Sequence, residues 1–388
     1  MTQSNKKLRV AVLYGGRSGE HEISLQSAAS VLRNLDPELF EAVPIAIDKQ
    51  GRWLLNDVSL IEKGARSLPV FKDAPAVLLP PNPEAARGAA LVRRDPQGAA
   101  LTSGLPTLDV VFPVMHGPLC EDGTIQGLLE LAEVPYVGCG VLASAVGMDK
   151  EVAKRLARDA GLPVVPWVTV REALWRRDPE ATARAVAAEL GYPCFVKPSS
   201  QGSSVGVHKV KTPSALAAAI DDALRFDRKV LVEQAIDARE IEIAVLESPD
   251  PAAEPMTSIA GEINARAAHE FYSYTAKYLD ENGAELLIPA AIDAQQVATA
   301  QRLAALAFTT LGCEGMARVD FFLDRQSGKL LFNEVNTIPG FTSVSMYPKL
   351  WEASGMPYRE LLTRLIELAL RRAERKRGLI RDFAAATA

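Results

Sequence analysis

Leu8–Leu13 reads LRVAVL, an apolar run with no polar alternation beyond Arg9, which predicts a strand buried on both faces. The next segment, HEISLQSAASVLRNL, switches to helical spacing, with Ile23, Ser27, Ser30 and Val31 falling on one side. FEAVPIAID, LDVVFPVMHG and VPYVG read as further strands, and GTIQGLLELAE reads as an amphipathic helix between the last two. Alternation of this kind predicts an α/β layer with a mostly parallel sheet. The stretch from Pro75 to Thr107, rich in Ala, Pro and Arg, interrupts the rhythm and predicts a peripheral hairpin or loop.

A second unit begins near Val141. MDKEVAKRLARDAGLPVVPWVTV predicts a helix stopped at Gly161 and then a strand. GYPCFVKPSSQGSSVGVHKV predicts two strands around a glycine-serine loop, followed by a helix over Pro213–Phe226 and the strand KVLVEQAI. The remainder predicts further strands, a helix from Ala294 to Leu311, a hairpin and a charged terminal helix. The length allows two or three domains, and the units read along the chain cover residues 1–140, 141–228 and 229–388.

The hairpin MARVDFFLDRQSGKLLFNEVNTIPG carries the most chemistry. A turn centred near Ser327 sets Asp320 opposite Glu334 and Arg318 opposite Asn336, all on one face. Val319, Phe321, Leu323, Leu331 and Val335 fall on the other, which is therefore the core side. Two opposed carboxylates are unfavourable unless a cation lies between them. Oxygen ligands without His or Cys point to Mg²⁺ or Mn²⁺, and Mg²⁺ commonly bridges substrate phosphates.

Two glycine-rich turns differ in meaning. In YGGRSGEHEIS the glycines stand at Gly15, Gly16 and Gly19, which is not G-x-G-x-x-G, and Glu20 and Glu22 would repel a phosphate. In PSSQGSSVG, next to Lys197, several backbone N–H groups and hydroxyls can converge on an anion, although no G-K-[ST] of a Walker A loop follows. Past the strand VLVEQ, Glu233, Gln234 and the backbone to Ile236 offer a carboxylate and a chain edge to an adenosine.

Charge and cysteine content narrow the class. A net charge of −5 argues against a nucleic-acid surface. The 4 cysteines form no C-x-x-C pair, as expected of a reduced compartment. The N-terminus lacks the apolar core of a secretory signal, and no stretch reaches the ~18 apolar residues of a membrane span. A cytoplasmic protein is expected, bound neither to membrane nor to nucleic acid.

GGRSGEHEIS, HGPLCEDGTIQG, GMDK, KPSSQGSSVG, EQAIDARE, YSYTAKY, ARVDFF and NEVNTIPGFTSVSMYPKLW occur in that order from about residue 8 to 370. Together they resemble the bacterial D-alanine–D-alanine ligases of the ATP-grasp fold. The resemblance implies three α/β domains: an N-terminal Rossmann-like substrate domain, a central lid, and a C-terminal domain with a magnesium site and a mobile loop. It implies ATP-dependent joining of two D-alanines through a D-alanyl phosphate, and a homodimer through the N-terminal domain.

Matched position by position, Asp320, Glu334 and Asn336 correspond to ligands of two Mg²⁺ ions. Lys150 and Lys197 correspond to the lysines on ATP phosphates, and Lys277 to a loop lysine reaching the γ-phosphate. Glu233, Gln234, Ile236 and Glu240 correspond to the adenine and ribose contacts. Arg318 and the N–H of Gly340 correspond to the oxyanion donors, Glu20 to the acid beside the first substrate's ammonium, and Ser345 to the holder of the second carboxylate. Ser203 and Tyr278 correspond to a hydroxyl chain that runs from Glu20, while His116 and Glu121 take supporting places. The chain departs from the pattern at EQAI, where E-K is commoner, and at Cys120, in a loop that is often glycine-rich.

Three other readings are weaker. A depsipeptide ligase making D-alanyl-D-lactate shares fold and metal site, but lactate-selective relatives depart from the AKY pattern that Tyr278 completes. A non-catalytic ATP-grasp regulator would have lost a metal ligand or Arg318. A nicotinamide dehydrogenase lacks its glycine fingerprint, and its one candidate ribose acid, Asp48, lies further on than usual.

Overall fold

The computed structural model describes residues 6–60, 65–81, 89–94, 100–101, 104–265 and 284–380. The first sheet has the order Trp53–Leu55, Phe40–Ile47, Leu8–Gly15, Val110–Pro113, its last three strands parallel. Val10 to Tyr14 are all fully buried. Val10, Val12 and Tyr14 pack in one core with the helix His21–Asn34, and Ala11 and Leu13 pack in another on the opposite face. VPYVG, expected as a strand, makes a single parallel bridge between Tyr136 and Val111, and Gly138 then turns the chain at φ +93°. Between Pro75 and Thr107 the chain forms short antiparallel ribbons at the periphery, such as Val77–Leu78 with Val92–Arg94.

The second sheet is antiparallel, in the order Trp167–Arg171, Lys229–Gln234, Cys194–Pro198, His208–Val210. Lys229–Gln234, assigned from sequence to the C-terminal unit, is an interior strand here, so the boundary at 228 falls inside the sheet. Val230 and Val232 supply its core together with Val170 and Val196. The helices Val141–Met148 and Lys150–Asp159, assigned to the central unit, instead lie against the strand Leu330–Asn336. Ala153, Ala157 and Leu162 pack there with Phe321 and Phe332, and the Phe332 N–H donates to Pro163 O at 2.7 Å.

The third sheet runs Ala284–Leu287, Met256–Ala265, Ala238–Leu246, Met316–Asp324, Leu330–Asn336, antiparallel throughout. Helix Ala294–Thr310 covers it, its start fixed by a capping box between Asp293 and Gln296. The terminal helix Tyr358–Arg377 returns to the first domain, where the buried Arg372 donates to Tyr136 O at 2.6 Å and to Gly138 O at 2.5 Å. All four cysteines are buried and free, and burial pushes the Cys120 thiol up, as befits a space-filling side chain. No helix among the described residues is long and apolar enough to cross a membrane.

Candidate active site

The face expected of the hairpin is formed by the strands Met316–Asp324 and Leu330–Asn336. Asp320 pairs with Glu334 and Arg318 with Asn336. Beyond that pair the register slips by one, and Phe321 faces Phe332. Asn333 is the extra residue of a β-bulge. The slip overturns one core assignment: Leu331 is half-buried, while Phe332 and Leu330 fill the core. It also turns Asn333 inward, where its Oδ1 lies 3.4 Å from Lys197 Nζ.

Arg318 grips Asp320 in a fork, Nε to Oδ1 and the second nitrogen to Oδ2, both at 2.8 Å. Its Nε is also 3.0 Å from Glu242 Oε2. Burial pulls the guanidinium down, but Asp320 and Glu242 overcome it and hold the group well above its ordinary range. Asn336 Nδ2 donates to Asp320 Oδ2 at 2.9 Å, and Lys150 Nζ lies 3.4 Å from Glu334 Oε2. Thus Asp320 is balanced by Arg318 of its own strand and Glu334 by Lys150 of the helix Lys150–Asp159. Glu242 was missed in the sequence. Its signal is faint: in AREIEIAVL it alternates with Ile241 and Ile243, which are core, and so shares a face with Glu240.

Asp320, Glu334 and Asn336 offer hard oxygen donors and no nitrogen base, so the donor set fits Mg²⁺ or Mn²⁺. Such a cation would be held by these two carboxylates and the amide oxygen, and would supply positive charge to offset nearby anionic oxygens.

Lys150 joins this face to the serine loop, donating to Gln201 O at 2.7 Å. Its helix is capped by Asp149, which also holds Lys229 at 2.5 Å and Ser199 Oγ at 2.9 Å. The loop then bends through left-handed Ser203 and Ser204, at φ 49° and 58°, and the Ser203 hydroxyl donates to Glu20. A Cβ at Gly202 or at Gly117 would stand 2.9 Å from Glu20 Oε2, so both glycines are needed to let the carboxylate through. In the N-terminal turn Gly15 serves close packing, since a Cβ there would meet Ile47 O at 2.2 Å, whereas one at Gly19 would meet nothing within 4 Å. Ser24 braces the same turn, accepting from the Gly15 N–H at 2.7 Å, and Glu22 pairs with Lys49 on the surface.

His116 is buried, and burial pushes its imidazole down, so the ring is neutral. Ile338 O can only accept, at 3.2 Å, so Nδ1 carries the proton and Nε2 takes the Ser27 hydroxyl at 3.1 Å. Ser27 also accepts the Phe341 N–H at 3.3 Å. The histidine thereby pins the segment that presents Gly340. Beyond Gly340, Ser345 Oγ accepts from the Thr342 N–H at 3.0 Å. Glu121 accepts the Gly117 N–H at 2.7 Å, and burial together with Glu20 lifts its carboxyl well above the usual range.

On the far side of Lys150, Lys197 Nζ sits 2.6 Å from Glu233 Oε2, and Lys154 Nζ sits 2.5 Å from Oε1. Lys154 is wholly buried, and burial brings its ammonium down to about 8 against the pull of Glu233. The Gln234 N–H is taken by Pro166 O at 3.1 Å, while Gln234, Ile236 and Glu240 are half-buried along the adjoining edge. Lys277 and Tyr278 lie outside the described residues. Of the expected residues, Glu121, Lys150, Glu334 and Asn336 line one cleft, together with Gln201 and Gly202 of the serine loop.

Comparison with known proteins agrees over the whole length. Residues 9–139 match the D-ala D-ala ligase N-terminus and residues 156–367 the D-ala D-ala ligase C-terminus. The chain is 57% identical to D-alanine--D-alanine ligase A of Bradyrhizobium diazoefficiens, covering 97% of this chain and 99% of that one. It is 48% identical to D-alanine--D-alanine ligase of Heliobacterium modesticaldum, covering 95% and 96%. Among solved structures, the VanG D-Ala:D-Ser ligase of Enterococcus faecalis superposes with a TM-score of 0.78 at 36% identity, covering 94% of this chain and 100% of that one. The D-alanine-D-alanine ligase of Coxiella burnetii gives the same TM-score and identity, covering 98% and 99%. The fold is ATP-grasp, and the chain belongs to the D-alanine–D-alanine ligase family.

Proposed function

We propose that the protein joins two D-alanines into D-alanyl-D-alanine, releasing ADP and phosphate, as a cytoplasmic step toward peptidoglycan precursors. The observation that carries this reading is that Lys150 links two differently built charge clusters, with Glu334 Oε2 at 3.4 Å on one side and Gln201 O of the serine loop at 2.7 Å on the other. Glu20 with Ser203 offers an anionic end. Arg318, Lys150 and the acids they balance offer a site for phosphates and developing negative charge.

The carboxylate of the first D-alanine attacks the γ-phosphorus of ATP, and ADP leaves. Lys150 and Lys197 hold phosphate oxygens, and Glu20 holds the ammonium of that D-alanine. Mg²⁺ or Mn²⁺ held by Asp320, Glu334 and Asn336 would offset the charge of the phosphates. The amine of the second D-alanine, having lost a proton, then attacks the acyl carbon while Ser345 holds its carboxylate. Arg318 and the Gly340 N–H stabilise the oxyanion, which collapses with expulsion of phosphate. Glu233, Gln234, Ile236 and Glu240 receive the adenosine, and the roles of Lys277 toward the γ-phosphate and of Tyr278 in the hydroxyl chain are those the family resemblance implies. Pairing into a homodimer through the N-terminal domain belongs to the same reading and rests on the family resemblance.

The second substrate is the open choice in such a site, since one structural neighbour is described as a D-Ala:D-Ser ligase. Phosphate release is measured with ATP and D-alanine alone, then with D-serine, D-lactate or L-alanine added, and the products are separated by mass. D-alanyl-D-alanine is expected as the main product at neutral pH. A predominant ester with D-lactate, or mixed dipeptide with D-serine, would refute the assignment.

A further inference from the structure

One buried cation has no part in the scheme above. Lys154, on the helix Lys150–Asp159, is 0% exposed. Its Nζ meets Glu233 Oε1 at 2.5 Å and lies 5.6 Å from the ring centre of Trp167. Glu233 is also buried, and its second oxygen meets Lys197 Nζ at 2.6 Å. One carboxylate thus serves two ammoniums in a region where an unpaired charge is strongly unfavourable.

The two lysines are not equivalent. Lys154 is wholly buried beside Trp167, whereas Lys197 keeps 8% of its surface exposed and has Asn333 Oδ1 at 3.4 Å as its next polar neighbour. If Glu233 had Lys197 alone, moving that ammonium to a phosphate would strand a buried carboxylate. With Lys154 in place it strands nothing. The excess positive charge of the triad is what makes Lys197 transferable.

We propose that Lys154 is a positioning residue for nucleotide binding: it keeps Glu233 paired, so that Lys197 can exchange Glu233 for a phosphate oxygen of ATP. Asn333, turned inward by the bulge, marks the path between the two positions. The inference rests on ATP being the bound nucleotide and extends that reading to a residue that need not touch the ligand.

The test is a double-mutant cycle read by calorimetric titration of ATP with Mg²⁺, which does not depend on turnover. Lys154→Met is expected to weaken ATP binding about tenfold in the parent protein, because Lys197 is then retained by Glu233. In a Glu233→Gln background the same substitution is expected to change the affinity less than about threefold, since no carboxylate is left to hold Lys197. In steady state the parent-background change falls on the KM for ATP, and kcat at saturating ATP stays within about threefold. Lys154→Gln, which can still donate to Glu233 but carries no charge, repeats the measurement should the Met variant not fold.

An unchanged ATP affinity in the single variant would overturn the proposal. So would an equal loss in both backgrounds, which would mean that Lys154 acts on the nucleotide directly or only on packing. Absence of D-alanine-dependent turnover in the parent protein would count against the proposed reaction, and the binding cycle would still decide the role of Lys154.

Discussion

Glu334→Gln is expected to lower D-alanine-dependent phosphate release by roughly a thousandfold while leaving the fold intact. The glutamine keeps the shape of the side chain and removes the charge. Glu334 is a partly exposed acid, with 24% of its side chain accessible, and its ion pair with Lys150 is long at 3.4 Å. Losing such a pair shifts stability by about 1 kcal/mol or less. The reaction suffers far more, because carboxylate charge at this spot is what would hold a divalent cation against the triphosphate. Asp320→Asn is expected to act in the same direction, with some loss of stability, since Arg318 loses the partner of its fork. Near-normal phosphate release in either variant would overturn the metal assignment.

Arg318→Met carries the second large effect, and it falls on both rate and stability. The guanidinium is the counter-charge for two buried acids, Asp320 in its fork and Glu242 at 3.0 Å. Removing one partner of a buried pair and leaving the other costs about 3–5 kcal/mol. A lowered melting temperature is therefore expected, read by thermal denaturation. The rate is expected to fall by roughly a thousandfold, the usual consequence of losing an oxyanion donor held in place beforehand. Arg318→Lys separates the two effects. A lysine restores one positive charge and part of the stability, but it cannot reproduce the two-pronged geometry, so the rate stays low. Full activity in the lysine variant would mean that charge alone, and not the oriented fork, is what the reaction uses.

Legibility in the sequence followed how local each feature is. The strand Leu8–Gly15 could be read because both faces are buried and its apolar run is unbroken there. The pairing of Asp320 with Glu334 could be read from a turn centred near Ser327, although next to the turn Leu323 faces Leu330 and it is the bulge that brings Asp320 opposite Glu334. The bulge at Asn333 could not, since FNEVN alternates as well in one register as in its neighbour, and only the packing of Phe332 against Phe321 selects between them. Sheet membership was the least visible. Lys229–Gln234 looks like any apolar strand, and its neighbours, Trp167–Arg171 and Cys194–Pro198, lie far away in the chain.

Lys154 shows the same limit within the site. In MDKEVAKRLARD it sits among charged positions of an amphipathic helix, where a lysine ordinarily faces water. Only the tertiary fold reveals that this one points at a buried carboxylate. The ordered set of motifs carried more information than any one of them, since each fixes a side chain whose partners come from other domains. Glu20 and Ser203 meet from the first and second sheets' domains, and Lys150, on a helix packed against the third sheet, meets both Glu334 of that sheet and Gln201 O of the serine loop.

The acyl phosphate is the central step of the proposed reaction, and an isotope decides it. D-Alanine carrying ¹⁸O in its carboxylate is incubated with ATP, Mg²⁺ and the protein, and the released phosphate is analysed by mass. Attack of the carboxylate on the γ-phosphorus followed by cleavage of the acyl carbon–oxygen bond predicts one ¹⁸O atom in each phosphate formed. Phosphate free of ¹⁸O, released in step with dipeptide, would contradict the mechanism.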